Sequence, residues 1–230
     1  MWACSCILND MKTSPKGNIW FLLLLLAADA VFIFIESYSS PRFAFKEGRY
    51  GEMFGYFQEG FIVLLLGLLA VRARQPWYFV WVSYFLYFLL DDSLGIHERV
   101  GRLLYKGLDL PRSMFEMPTR DLGQLVVFAF LGLLFLAVVG AAYYFGDRTF
   151  KEVSRNLLIM LAVLIFCSVV VDVIHVYVNV NAHEAQLLID LLALLEEGGE
   201  LVIVSVILWY VFSWATQREE KLASAKNIGK

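Results

Sequence analysis

The chain has 230 residues, 60% of them hydrophobic and 18% charged, with a mean hydropathy of +0.66. A soluble domain of this length could not keep that much apolar surface out of water, so its solvent is lipid. The net charge of −3, with the basic residues scattered over short connections, excludes a nucleic-acid partner.

Residues 1–18 read as a cytoplasmic tail. Cys4 and Cys6 form a C-x-C that could hold a soft metal, while Cys167 is a small residue inside an apolar run; the three make no disulfide framework. Met11, followed by Lys12, Thr13, Ser14, Pro15 and Lys16, is an alternative start to Met1. Lys12 and Lys16 together with Ala28-Asp29-Ala30 imitate a signal peptide and its cleavage site. The apolar run resumes at Val31, however, which predicts an uncleaved helix.

Uncharged runs of roughly twenty residues predict six spans, near 19–37, 54–71, 77–98, 122–145, 157–180 and 186–214. They form one all-α transmembrane bundle, followed by a basic cytoplasmic tail at 215–230. The first span carries Asp29 and Glu36, and the second carries Glu59 and is closed by Arg72, Arg74 and Pro76. The third is apolar to Leu90 and then meets Asp91-Asp92-Ser93-Leu94-Gly95-Ile96-His97-Glu98, read as helix continuing past the hydrocarbon. Pro111 and Pro118 deny one continuous helix to the loop from Tyr105 to Arg120. The fourth span holds no charge and reads as lipid-facing. Asp172 and His175 come late in the fifth; Asp190, Glu196, Glu197 and Glu200 precede the apolar run of the sixth, Leu201 to Trp214. Trp20, Trp77, Trp81, Trp209 and Trp214 read as anchors at the membrane interfaces. The connections on the side of the two termini hold eleven Lys and Arg against eight on the other, which places both termini in the cytoplasm.

Alternating helix directions turn these scattered acids into a pattern. The end of an odd-numbered span and the start of an even-numbered one share a membrane face, so Glu36, Glu59, Asp91 to Glu98, Asp121, Asp172 and Asp190 to Glu200 all map to one end. All three histidines, His97, His175 and His183, map there too. A charge at a helix centre costs on the order of 2.5–3.5 kcal/mol on insertion scales, so such a group needs partners or water. The expectation is a polar cavity open to the non-cytoplasmic face. Glu36, Asp121 and Glu184 read as its solvated rim, His183 as a loop histidine, and Asp29 as a buried structural hydrogen-bonding group.

Spacing sharpens the expectation. Asp172 and His175 (i, i+3), and Glu196, Glu197 and Glu200 (i+4 and i+3 to the last), share helical faces. Asp91 and Glu98 lie two turns apart on one face if the helix survives Gly95. Carboxylates and imidazoles projecting inward from facing helices match the ligands of Zn, Mn or Fe in helical bundles. The metal ligands expected are Asp91, His97, Asp172, His175 and Glu197, with Glu59, Asp92 and Glu196 as second choices. Gly198-Gly199 beside the acids would let a backbone or ligand approach closely. A bound divalent metal would lower the pKa of a water, Glu98 or Glu200 would act as general base, and a lipid or amphiphile would be the substrate of such a membrane hydrolase. Two other readings stay open: a proton or cation transporter, and a structural or assembly subunit whose acids pair with Arg99, Arg102, Arg112 and Arg120 of the long loop.

At Asp91-Asp92 with His97-Glu98, and at Glu196-Glu197-Gly198-Gly199-Glu200, the chain resembles a group of bacterial integral membrane proteins carrying D-D-x4-H-E and E-E-G-G-E segments. That resemblance implies a bacterial inner membrane and no known activity. The membrane hydrolases that include the alkaline ceramidases are a looser likeness, placing acids and histidines at one bundle end; this chain lacks their H-x-x-x-H pair.

Overall fold

A backbone in lipid must satisfy its N–H and C=O groups within its own segment, so the apolar runs fold as helices. The structure, a computed structural model, describes residues 18–39, 50–73, 75–107, 113–114, 117–181 and 185–228. Among them the fold is all-helical apart from a two-residue antiparallel pairing of Ser113–Met114 with Met117–Pro118. In chain order the helices are α1 (Ile19–Ser39), α2 (Tyr50–Ala73), α3 (Tyr78–Leu94), α4 (Ile96–Gly107), α5 (Thr119–Phe145), α6 (Arg148–Ile165), α7 (Asp172–Asn181) and α8 (Gln186–Ile228). A π turn, Phe166–Val171, joins α6 to α7.

Among the described residues, four stretches are long and apolar enough to cross a membrane: Ile19–Tyr38, Tyr50–Arg72, Leu122–Phe145 and Arg148–Asn181. The bent pair Tyr78–Leu94 with Ile96–Leu104 makes a fifth if it crosses as one unit. The predicted sixth span falls within α8. At 43 residues and 1.5 Å per residue, α8 is about 64 Å long, roughly twice the hydrocarbon thickness. It is also the most connected helix, packing on α1, α2, α6, α7 and the π turn.

Local chemistry sets the helix ends. Gly95 adopts φ 57°, ψ 46° and donates its N–H to the Asp91 carbonyl, a left-handed C-terminal cap that glycine adopts without steric cost. The chain then turns by 71° into α4. The predicted span 77–98 is therefore broken, and Asp91 and Glu98 do not share a helical face. The connection before the fifth span is also shorter than expected: α6 begins at Arg148, and the Asp147 side chain accepts from the Phe150 N–H at 2.9 Å, an N-cap that satisfies an orphan donor. Lys151 and Arg155 thus lie on a helix.

The core sits in the half of the bundle away from the acids, around Ile62, Tyr78, Trp81, Phe85, Phe150 and Leu157. Tyr78 meets the Phe150 ring edge-on at 5.3 Å. Trp81, read as an interface anchor, is instead fully buried and donates its indole N–H to Ser154 Oγ at 2.9 Å; an indole inside a bundle needs such an acceptor. α5 is held chiefly by α4, where a Cβ on Gly101 would lie 2.8 Å from the Gln124 backbone nitrogen and one on Gly123 would lie 2.9 Å from the Gly101 carbonyl oxygen. Close crossings of this kind use small residues. Elsewhere α5 leaves Phe130 and Leu133 on the surface, as an uncharged lipid-facing helix should.

Candidate functional site

Four helices bring carboxyl groups to one small cavity of about 60 Å³, space for a few waters but not for a lipid headgroup. Glu36 comes from α1, Glu52 and Glu59 from α2, Asp92 from α3, and Glu197 and Glu200 from α8; Tyr56 adds a phenol. No Lys, Arg or His is among its described lining residues. The alternation of helix directions thus delivers Glu59, Asp92, Glu197 and Glu200 to one cavity.

The carboxyls differ in what they touch. Glu36, expected at a solvated rim, is buried and accepts the Gly51 N–H at 2.7 Å. It satisfies one of the free donors at the start of α2, where the helix dipole favours an anion, and a Cβ on Gly51 would lie 2.8 Å from that oxygen. The Tyr56 hydroxyl donates to Glu52 and lies 3.1 Å from the Asp92 carbonyl oxygen. Glu59 and Asp92 stand within hydrogen-bond reach of each other, a contact that two carboxyls make with a proton or cation between them. Glu59 Oε2 is buried without a hydrogen-bond partner. Glu200 reaches Ser168 on the π turn, while Glu197 is exposed at the mouth.

Gly198 and Gly199 do allow the close approach expected of them. A Cβ at 198 would lie 3.3 Å from Ile33 Cδ1 of α1, and one at 199 would lie 3.0 Å from Cys167 Sγ on the π turn. π turns recur at functional sites because they shift the helical phase locally. Here the turn seats against α8 beside Glu200.

The expected metal ligands fall into two groups, Asp91 with His97 and His175 with its neighbours Asp172, Glu196 and Glu197. Asp91 accepts from the His97 backbone N–H at 2.8 Å and faces His97 Nδ1 at 3.1 Å, so it caps α4 and holds the ring, which packs on Phe128 at 4.5 Å. His175 Nδ1 meets Glu196 at 2.8 Å, with Asp172 nearby on the same helix. Of the two expected general bases, Glu98 pairs with Arg102 within α4 at 3.0 Å, while Glu200 lines the cavity. Among the described residues no group of three or more His, Cys, Asp or Glu side chains is arranged to hold a metal ion. The break at Gly95 turns His97 and Glu98 out of phase with Asp92, and each imidazole engages its own carboxylate. Cys4, Cys6, His183, Glu184 and Arg112, and the side chains of Asp121 and Arg120, lie outside the described residues.

Gln58 and Ser205, which drew no expectation from the sequence, join Asp29 in a buried polar group. Asp29 is fully buried in α1, and Gln58 Nε2 of α2 donates to Asp29 Oδ1 at 3.2 Å and to Ser205 Oγ of α8 at 2.8 Å. The expected buried hydrogen bond of Asp29 is therefore present. Its partners are neutral residues on other helices, which a search for ionisable groups passes over.

The family model described as "Domain of unknown function (DUF8692)" matches residues 19–216. The chain belongs to this family. The matched stretch opens at the first residue of α1 and closes within α8, so it covers the helical bundle. Consistent with the implied absence of a known activity, the family description assigns none. No curated protein and no solved structure matches the chain.

Proposed function

We propose that the chain is a six-span integral membrane protein that takes up and releases protons through the carboxyl cavity at one membrane face. The carrying observation is the contact between Glu59 and Asp92 in a cavity whose described lining holds other carboxyls and no basic side chain. Each buried charge costs a few kcal/mol, and total stabilities are only about 5–15 kcal/mol. Such a cluster is sustained by protons and water. The cavity volume disfavours the lipid hydrolase, and the separated imidazoles disfavour the Zn, Mn or Fe site.

Potentiometric titration of the purified full chain tests this reading. The wild type should bind more protons on acidification than a Glu59→Gln, Asp92→Asn double variant that keeps its helical circular dichroism. Equal uptake, or near-stoichiometric Zn, Mn or Fe that copurifies with wild type and is lost from the variant, would overturn it.

A further inference from the structure

The carboxyl cavity does not exhaust the buried polar groups of the bundle. Asp29 lies seven residues before Glu36, on the same face of α1 and about 10 Å deeper. Gln58 adjoins Glu59 on α2, and Ser205 follows Val204, which lines the cavity. Asp29 and Ser205 lie one layer below it, and Gln58, level with Glu59 on α2, bridges the two. All are at most 1% exposed, yet Asp29 Oδ2 and Gln58 Oε1 have no hydrogen-bond partner. An unsatisfied buried oxygen on each of two facing side chains marks a place for a small donor.

We propose that Asp29, Gln58 and Ser205 form a proton-binding site in the bilayer core, loaded from the carboxyl cavity and sealed from the opposite face. On Asp29 the proton becomes a donor for a facing oxygen, and the amide and hydroxyl hold the carboxyl in place. The seal is the apolar layer below: Leu25 one turn along α1, Ile62 and Leu66 one and two turns along α2, and Leu208 on α8, all 8% exposed or less. The nearest cavity acids along the packed helices are Glu36 on α1, Glu59 on α2 and Glu200 on α8. The proposal rests on the cavity reading, because protons reach Asp29 through those carboxyls.

Infrared spectroscopy of the full chain labelled with carboxyl-13C aspartate, in phosphatidylcholine nanodiscs, tests it. The expected result is a protonated aspartate carbonyl band that disappears in Asp29→Asn, shifts in D2O, and exchanges more slowly in the Glu59→Gln, Asp92→Asn variant. Ser205→Ala, a milder change, should shift the band without removing it, so the test survives a failure of Asp29→Asn to fold. A band that is absent, that does not respond to Ser205→Ala, or that exchanges equally fast in the cavity variant overturns the site. The potentiometric uptake reports the cavity independently: normal cavity uptake without an Asp29 band sinks this site alone.

Discussion

The two ends of the bundle are built from different materials. Around Trp81, Tyr78 and Phe150, large rings fill the space and the Trp81 indole has its acceptor in Ser154. Around Glu59 the helices are separated by a cavity lined with carboxyls and approach one another at glycines. One end holds the helices together, and the other keeps charge-bearing groups where packing alone would remove them. Substitutions at the packed end should therefore act on stability, and those at the acidic end on proton binding.

The largest stability loss is expected from Trp81→Ala, which opens a void and orphans Ser154; about 3–5 kcal/mol should appear as a lowered unfolding midpoint in detergent. Gly101→Val comes next, because its side chain meets the Gln124 backbone nitrogen, which cannot yield as a side chain would. A loss of about 1–3 kcal/mol should accompany increased proteolysis between α4 and α5. Glu59→Gln tests the contrast from the other side. It keeps volume and removes one of two facing carboxyls, so the unfolding midpoint should hold or rise, by up to about 1 kcal/mol, while proton uptake falls. A Glu59→Gln protein as unstable as Trp81→Ala would erase the distinction between the two ends.

The gathering of acids at one end was legible because it depends only on chain direction and span order. Which acids meet was not: Glu59 and Asp92 line the cavity, while Asp91 and His97 engage each other outside its lining. Helical phase is hard to read in lipid, since lipid-facing and core-facing positions are both apolar: Phe130 is exposed and Phe135 packs on Tyr84 at 3.9 Å, yet both are phenylalanines of α5. The positive φ at Gly95 then rotates everything after it. Trp81 was misplaced for a related reason, as indole serves both interfaces and cores and only a partner such as Ser154 tells them apart.

Asp91 shows how a carboxylate can be occupied before any ligand arrives. Its two oxygens fasten the first turn of α4 and the imidazole of His97, and α4 in turn is the main attachment of α5. A cation drawn to that acid would first have to break the contacts that fasten the joint between α3 and α4.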